Sequence, residues 1–422
     1  MDGPPAPSTR VLIFSGKGGT GKTTMAAATG LRTAALGHRT LILSVDIAHS
    51  LADSFDVAEA IREHPKGMPY AVAERLEIQE LDVQEEMFRH WDEVFRYFSV
   101  LFTQAGMDDV IAEELAIIPG MEDVIALLYL NEYVRDDRYD VIVLDLAPTG
   151  ESLRFIAMPN TLDWYMRKVF RFERNLARLA RPIAKHMAHL PVPDDSYFDE
   201  IERLWRRMDG VDKVLLDPAM TTVRLVTNAE QMVVRESERA YMYFSLYGVA
   251  VDQVIVNKVI AADTDSLPPA FRDWARTHQK NLTRIRRSFH GLRIDTVPLA
   301  HDEVVGTARL EAVAAALYGP LTGGNDPAAH HPTQAPFRYH SEGDHTTLEL
   351  YLPNLDRDDL DLYVEDTELI VRIGSHKRHI PLPRRLRERR PELARYESNM
   401  LTVVFKTQAP DTPTPAPPGG HT

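Results

Sequence analysis

A glycine-rich segment between a predicted strand and a predicted helix constrains this chain more than any other feature. Residues 16–23 read GKGGTGKT and directly follow the apolar run VLIFS at residues 11–15. Glycines let the backbone bend so that successive N–H groups converge on phosphate oxygens, and the N-terminus of the following helix reinforces them. The pattern G-x-x-x-x-G-K-[ST] in this context therefore predicts a nucleotide-binding phosphate loop.

The chemistry of the loop assigns roles to individual side chains. Lys22 is predicted to reach the β- and γ-phosphates of ATP, and the Thr23 hydroxyl is predicted to bind Mg²⁺. Asp145 ends the apolar run DVIVLD and is predicted to act on Mg²⁺ through water. Asp46 ends the run LILSVD and is predicted to orient or deprotonate the attacking water. Both carboxylates could instead cap the helices that follow. The loop residues predicted to contact the nucleotide are Gly16, Lys17, Gly18, Gly19, Thr20, Gly21, Lys22, Thr23 and Thr24.

Apolar, β-branched runs alternate with helical patterns across residues 11–318. This alternation predicts an α/β fold, in which helices wrap a parallel sheet. Two intervals, residues 83–138 and 151–218, are too long for simple crossovers and are predicted to be helical insertions. Residues 1–10 are predicted to be a disordered start. The runs after the first lie at residues 41–46, 76–82, 140–147, 221–228, 252–259 and 292–299.

The composition changes after residue 318. Residues 319–337 are rich in Gly, Pro and small polar residues, which is typical of a linker. Residues 338–407 contain short alternating strands, with turn-like EDT and GS between some of them, and this pattern predicts a small all-β sandwich. The Pro-rich residues 408–422 are predicted to be disordered.

Charge and cysteine content exclude several classes of function. Lys and Arg number 48 against 62 Asp and Glu, and the net charge of −14 argues against nucleic-acid binding. Cysteine is absent, so thiolate metal sites and thiol nucleophiles are excluded. The start MDGPPAPSTR has no apolar segment typical of a signal peptide, and no run approaches the roughly 18 apolar residues of a membrane span. We therefore expect a cytoplasmic protein with no integral membrane segment.

Three more segments, together with the phosphate loop, carry a family resemblance. They are SVDIAHSLADSFD (44–56), VLDLAPTGESLRFIAMP (143–159) and LLDPAMTTVRLVTNAEQMVVRESERA (215–240). They resemble switch I, switch II and the DPxxT strand with its E-x-x-R helix in the ArsA branch of the deviant Walker A ATPases. That branch includes the arsenite-pump ATPase and the ATPase that delivers tail-anchored membrane proteins. The resemblance implies a P-loop NTPase that works as an ATP-hydrolysing, Mg²⁺-dependent homodimer.

The resemblance also implies a role for the extra lysine of the loop. Lys17 is the second loop residue, and its side chain is predicted to point away from the phosphates of its own subunit. In the family this lysine crosses the dimer interface and contacts the partner's nucleotide, so Lys17 is implied to act in trans. The alternative is a solvated surface lysine. By the same resemblance, Asn257, Pro298 and Leu299 match positions that hold adenine.

Departures from the family pattern affect what we expect. Ile47 and Ser50 stand where the family usually has Pro and Asn, and Ala229 replaces a usual proline, so hydrolysis is expected to be slow. The targeting ATPase commonly holds zinc with a CxxC pair, which this chain lacks. We therefore predict no metal other than the Mg²⁺ bound with the nucleotide.

The C-terminal region resembles a second family. The segment ARYESNMLTVVFK at residues 394–406 is similar to a strand of α-crystallin, or small heat-shock, domains. Asn399 takes a position usually held by Gly, and Asn tolerates positive φ better than most residues. An ArsA-type ATPase joined to such a domain is similar to a Cys-free branch of bacterial and plastid homologues of the targeting ATPase.

Three functions follow from these observations. The first is a homodimeric carrier that binds hydrophobic client helices, such as those of tail-anchored proteins, under nucleotide control. The second is an ATPase subunit that drives a membrane arsenite pump, and the third is a non-enzymatic holdase. Residues 160–190 favour the first, because their apolar stripe and basic opposite face suit an apolar helix and transient contact with a membrane surface. The stripe could instead pack on the protein's own core. It comprises Leu162, Tyr165, Met166, Val169, Phe172, Leu176, Leu179, Ile183 and Met187.

Overall fold

The computed structural model describes residues 9–46, 50–82, 85–86, 120–184, 195–260, 268–331, 333, 335–365, 367–386 and 389–406. The chain forms two compact units. The first comprises Met1–Phe244 and Val249–Thr333, and the second comprises Ser245–Gly248 and Gln334–Thr422. The division between them falls inside the segment predicted to be a linker.

The first unit is built on an eight-stranded sheet, with strand order β3-β4-β2-β5-β1-β6-β7-β8. All neighbouring strands are parallel except β3, which is antiparallel to β4. The predicted α/β class is confirmed. The strands are β1 (Arg10–Ser15), β2 (Thr40–Ser44), β3 (Tyr70–Ala73), β4 (Leu76–Glu80), β5 (Val141–Asp145), β6 (Thr221–Asn228), β7 (Val251–Val259) and β8 (Arg293–Pro298).

Helices connect these strands. The described residues of the interval 151–218 are helical except at the turn of residues 208–210 and at residues 217–218. A π-helical turn at Met166–Phe170 joins α5 to α6. The insertion predicted at residues 83–138 lies mostly outside the described residues. The helices are α1 (Lys22–Ala35), α2 (Ser50–Phe55), α3 (Ala58–Ile61), α4 (Met121–Arg135), α5 (Thr149–Tyr165), α6 (Arg171–Ala184), α7 (Asp195–Arg207), α8 (Val211–Leu216), α9 (Gln231–Tyr247), α10 (Pro269–Ser288) and α11 (Thr307–Tyr318).

The core forms where α1 packs on the sheet. Every residue of β1, β2, β5 and β6 is buried, which explains why these strands are continuous apolar runs rather than alternating ones. Helix α1 meets the sheet through small residues. A Cβ on Gly30 would lie 2.5 Å from Cδ1 of Ile42, so the close approach of helix and strand needs glycine. This contact fixes α1 directly behind the phosphate loop.

Part of the predicted linker packs on the first unit. Arg224 in β6 is fully buried, and its Nη2 donates to the Pro327 carbonyl at 2.6 Å. The same side chain donates to the Tyr318 hydroxyl at 3.2 Å and lies 3.6 Å from the Asp252 carboxylate. Arg32 donates to the Pro320 carbonyl at 2.5 Å. Buried arginines thus hold the segment after α11 against the first unit.

The second unit consists of two antiparallel sheets, with orders β14-β15-β10-β9 and β11-β12-β13. Alternate residues of β10 and β15 are buried, so the period-two pattern of the sequence matches the structure. Asn399 has a φ of 64° in the turn between β14 and β15, as its position predicts. The strands are β9 (Phe337–Glu342), β10 (His345–Tyr351), β11 (Leu360–Glu365), β12 (Glu368–Ile373), β13 (His376–Pro381), β14 (Leu393–Glu397) and β15 (Met400–Lys406).

No helix within the described ranges combines the length and apolar character that crossing a bilayer requires.

Candidate functional site

The predicted catalytic residues meet at one edge of the parallel sheet. Strand β1 leads into the phosphate loop and α1, while its neighbour β5 ends at Asp145. Asp46 follows β2, which is the next strand beyond β5. Because parallel strands end at the same edge, the loop and the two carboxylates are brought together. Ile47, Ala48 and His49 of switch I lie outside the described residues.

Two glycines make the loop's conformation accessible. A Cβ on Gly16 would overlap the carbonyl oxygen of Val226, because the loop passes directly over the end of β6. Gly21 has a φ of 92° at the start of α1, where a side chain would be strained and would also meet the amide of Asn257. Thr20 closes the loop on itself, with its hydroxyl donating to the Lys17 carbonyl at 2.8 Å. The shape of the loop is therefore set by its own glycines and Thr20, together with the ends of β6 and β7 against which it lies.

Strand β7 holds the loop from the other side. The Asn257 side-chain amide donates to the Thr20 carbonyl at 2.9 Å, and the Lys258 ammonium donates to the Gly19 carbonyl at 2.8 Å. Asn257 also accepts the backbone N–H of Lys258 at 2.8 Å. The adenine contact implied for Asn257 stays a prediction, because the hydrogen bonds of its side chain bind it to the loop. The sequence alone did not indicate a role for Lys258.

Lys22, Thr23 and Asp145 lie together below the loop. Lys22 is 7% exposed and Asp145 is fully buried. The Thr23 hydroxyl lies 3.3 Å from that of Ser50 at the start of α2. Burial raises the pKa of Asp145 to about 7. The negative charge of Asp46 raises this pKa further, whereas the Thr23 side chain and the Lys22 ammonium lower it. The contacts of Asp145 with Thr23 and Lys22 therefore do not fully offset the cost of burying its ionised carboxylate.

These groups fit a magnesium ion. Neither oxygen of Asp145 has a hydrogen-bond partner of ordinary length within the described part of the chain. Mg²⁺ prefers carboxylate, hydroxyl and water oxygens, and its charge would offset the cost of ionising a buried acid. Thr23 and Asp145 are the residues that would hold the ion, and Ser50 adds a hydroxyl beside Thr23.

Lys17 points away from its own loop, towards α9. Its ammonium lies 3.8 Å from the Glu236 carboxylate, and its side chain is 41% exposed. The other oxygen of Glu236 accepts the Thr149 hydroxyl at 3.1 Å. One carboxylate thus contacts both the loop lysine and the segment that follows β5. Glu236 belongs to the E-x-x-R pattern of the sequence, but only the structure shows which groups it contacts.

The remaining adenine positions lie at the end of β8. Pro298 is the last residue of that strand, and Leu299 follows it, 50% exposed. Leu299 lines a cavity together with residues at the ends of β6 and β7. The structure therefore places Leu299 beside the loop's anchors, and its contact with adenine stays a prediction.

We expect Asp145→Asn to raise the melting temperature of the nucleotide-free protein by a few °C at pH 8. The folded pKa of about 7 exceeds the value of about 3.9 for an exposed aspartate. Between these two values the folded state binds the extra proton, so stability falls as pH rises towards 7, and above pH 7 the full cost of ionising Asp145 remains. Asparagine removes that buried charge. The rise in melting temperature relative to the wild type should therefore be smaller at pH 5 than at pH 8.

Thermal unfolding of the variant and the wild type at both pH values measures this effect. Asp209→Asn is the matched control, because it makes the same chemical change at an exposed position. An Asp145→Asn protein that melts below the wild type at pH 8 would contradict the assignment of an uncompensated charge.

Two family models match this chain, and together they cover both units. A model described as Anion-transporting ATPase matches residues 9–319. A second, described as an HSP20-like domain found in ArsA, matches residues 343–405. The matches agree with the phosphate-loop unit and the all-β unit of the structure.

Individual proteins are similar over most of their length. "Putative arsenical pump-driving ATPase 1" of Aquifex aeolicus (strain VF5) is 42% identical over 398 residues, which cover 94% of this chain and 100% of that protein. "Putative arsenical pump-driving ATPase" of Chlorobaculum tepidum is 34% identical, over 94% of this chain and 96% of that protein. "ATPase GET3C" of Arabidopsis thaliana is 26% identical over 72% of this chain and 80% of its own. This chain therefore belongs to the ArsA family of anion-transporting ATPases, and it carries the HSP20-like domain found in that family.

Proposed function

We propose that this ATPase is a cytoplasmic homodimeric carrier, which binds hydrophobic helices of client proteins and releases them under the control of ATP. The resemblance of its switch segments to the tail-anchored-protein-targeting ATPase motivates the proposal. The observation that carries it is a row of exposed apolar side chains on α6. Phe172 is 66% exposed, Leu176 54% and Leu179 73%.

These three residues form the exposed stripe of α6. Their spacing of four and three places them on one face of the helix. The longer stripe expected from the sequence is not continuously exposed. Met166 and Phe170 are buried and pack with Phe198 of α7. Leu162, Tyr165 and Val169 are partly buried, whereas the Ile183 side chain and Met187 lie outside the description.

The polar side of α6 faces its neighbour α7. Arg174 contacts Asp199 at 2.5 Å and Glu202 at 3.0 Å, and Arg178 contacts Asp195 at 3.2 Å. A surface helix ordinarily turns its apolar face to the core and its charges to water. Here ion pairs occupy part of the inward side, and the exposed stripe faces outward. Contiguous exposed apolar residues of this kind are typical of a binding surface.

The path from the stripe to the nucleotide site supports nucleotide control. Helix α5 begins at Thr149, inside the segment that resembles switch II, and the π-helical turn continues it into α6. The Thr149 hydroxyl is bound to Glu236, whose carboxylate also lies near Lys17. A change at the γ-phosphate that moves this segment would therefore be transmitted along α5 to the exposed stripe.

The site residues divide the work of hydrolysis in this proposal. Lys22 binds the β- and γ-phosphates of ATP, and Asp46 orients or deprotonates the attacking water. Thr23 and Asp145 hold Mg²⁺, which when bound neutralises charge on the phosphates. The partner subunit supplies its own copy of Lys17 to stabilise charge in the transition state. The salt bridge of Lys17 with Glu236 must open for that step, and at 3.8 Å with partial exposure it is weak.

Substitution of the two loop lysines should separate binding from turnover. We expect Lys22→Ala to abolish ATP binding, because the side chain is buried below the loop. Lys17→Ala should bind ATP with little change but lose most of its turnover, by about 10³-fold or more. Binding is measured with a fluorescent ATP analogue and turnover by phosphate release.

A mixing experiment checks whether Lys17 acts in trans. Lys17→Ala and Asp46→Asn subunits are each inactive alone, but a mixed dimer keeps one site with an intact Asp46 and the partner's Lys17. Mixing should therefore restore part of the activity. Turnover of Lys17→Ala at the wild-type rate would show that the lysine is a surface residue only.

The names of two relatives favour a second function, an ATPase that drives an arsenical pump. This chain contains no cysteine, and soft metal ions favour thiolate ligands. We therefore expect arsenite and antimonite to change neither the ATPase rate nor the melting temperature. Titration of each into the ATPase assay is the measurement. Saturable stimulation at about micromolar concentrations would favour the pump and contradict the carrier.

The exposed stripe gives the direct test of client binding. We expect the combined change of Phe172, Leu176 and Leu179 to Asp to reduce capture of an apolar helical peptide by at least about tenfold, since burying each such side chain contributes about 1.5–3 kcal/mol. Melting temperature and ATP turnover should change little, because all three side chains are exposed. Peptide capture is measured by fluorescence anisotropy.

The control is Leu321→Asp, which changes a leucine of similar exposure, 51%, outside α6. It should leave capture unchanged. Undiminished capture by the triple variant would remove the stripe from the client site, and global unfolding of that variant would show that these residues belong to the core.

A further inference from the structure

A carboxylate at the end of β4 binds the start of helix α2. Glu80 is the last residue of β4, and its Oε1 accepts the backbone N–H of Leu51 at 3.0 Å and that of Ala52 at 2.9 Å. These are the second and third residues of α2, which begins at Ser50. The first N–H groups of a helix have no partner within the helix, and a side chain just before it usually accepts one of them. Here an acceptor comes from a different strand, 28 and 29 residues away along the chain.

Helix α2 depends on such contacts for its position. It has six residues, and isolated helices shorter than about 12 residues are marginal in water. The Glu80 carboxylate forms charge-assisted hydrogen bonds, and its negative charge favours the positive end of the helix. Near the other end, the Ser54 carbonyl accepts the backbone N–H of Gly306 at 2.9 Å, just before α11. Bonds from two neighbouring elements therefore hold α2, together with its buried residues Leu51 and Phe55.

The position of α2 determines where Ser50 lies. Its hydroxyl is 3.3 Å from that of Thr23, which is one of the residues that would hold Mg²⁺. Glu80 binds the two backbone N–H groups that directly follow Ser50. Strand β4 is the parallel neighbour of β2, and Asp46 follows β2, so Glu80 lies at the same sheet edge as the catalytic groups. A displacement of about 1 Å, even one caused far from the chemistry, can slow a reaction about 100-fold.

We propose that Glu80 is a positioning residue for ATP hydrolysis, which fixes α2 so that the Ser50 hydroxyl stays beside Thr23 at the Mg²⁺ position. Glu80 contacts neither the nucleotide nor the attacking water in this proposal, and it acts through its bonds to α2. The proposal rests on the function proposed above, in which the phosphate loop hydrolyses ATP. It adds to that mechanism a residue that the sequence indicated only as part of a strand.

The test compares two substitutions of Glu80 in the full-length protein. Glu80→Ala removes the acceptor, whereas Glu80→Gln keeps a carbonyl oxygen that can accept the same two N–H groups. We expect the backbone amides of residues 50–55 in the nucleotide-free Glu80→Ala protein to exchange with deuterium about tenfold faster than in the wild type, because hydrogen bonds to a charged acceptor are lost. The kcat at saturating ATP and Mg²⁺ should fall about 10- to 100-fold. Glu80→Gln should stay close to the wild type in both measurements.

Two further measurements separate positioning from a general loss of structure. The Kd for ATP in the absence of Mg²⁺ should be unchanged in both variants, because Asn257 and Lys258 hold the phosphate loop from β7. Glu74→Ala is the matched control, since it makes the same chemical change at an exposed position just before β4. It should alter neither the amide exchange of α2 nor the kcat.

The outcomes distinguish this inference from the function proposed above. Wild-type amide exchange or wild-type kcat in a folded Glu80→Ala protein would overturn the role of Glu80, and so would equal losses in Glu80→Gln and Glu80→Ala. If the wild-type chain hydrolyses no ATP, the proposed function itself fails. If Glu80→Ala does not fold, Ser50→Ala decides the matter, because it removes only the hydroxyl that α2 places. A higher Mg²⁺ concentration for half-maximal turnover in Ser50→Ala supports the proposal, and an unchanged one rejects it.

Discussion

The nucleotide site depends on a loop whose backbone is held from both sides. Gly16 passes over the end of β6, where any side chain would overlap the Val226 carbonyl. From β7, Asn257 and Lys258 bind two successive carbonyls of the loop, those of Thr20 and Gly19. These bonds fix the direction in which the peptide planes face. The positions of Lys22 and Thr23 at the start of α1 follow from that geometry, and so does the direction in which Lys17 leaves the loop.

The E-x-x-R helix links the loop to the rest of the first unit through one carboxylate. Glu236 accepts the Thr149 hydroxyl and lies beside the Lys17 ammonium. Thr149 starts the helix that leads to α6, and Lys17 is the residue proposed to cross to the partner. A transfer of Lys17 to the partner's nucleotide would leave Glu236 with one contact instead of two. In the proposed homodimer, closure of the dimer and movement of α6 would then be energetically connected, without a contact between the two sites.

Residues whose position follows from local pattern could be predicted from the sequence, and residues positioned by packing could not. Asp46 and Asp145 end apolar strands, and parallel strands end together, so their meeting at one edge was expected. The contact of Lys258 with the Gly19 carbonyl became visible only once the end of β7 and the loop were placed side by side. The helical stripe shows a further limit: the π-helical turn at Met166–Phe170 changes the periodicity, so Met166 faces inward while Phe172 faces water. The Gly- and Pro-rich composition after residue 318 likewise did not indicate that Arg224 would hold Pro327.

The arginine contacts between α6 and α7 have a consequence for the conditions under which the proposed carrier would work. Arg174 and Arg178 hold the polar side of α6 by ion pairs whose members are mostly exposed. Salt weakens such pairs most at high concentration, because the screening length falls from about 8 Å at 0.15 M to about 3 Å at 1 M ionic strength. The opposite face of the same helix is apolar, and strongly hydrated salts such as sulfate strengthen apolar association. Ionic strength thus acts in opposite directions on the two faces of α6. High sulfate would weaken these ion pairs while it tightens whatever binds the exposed stripe.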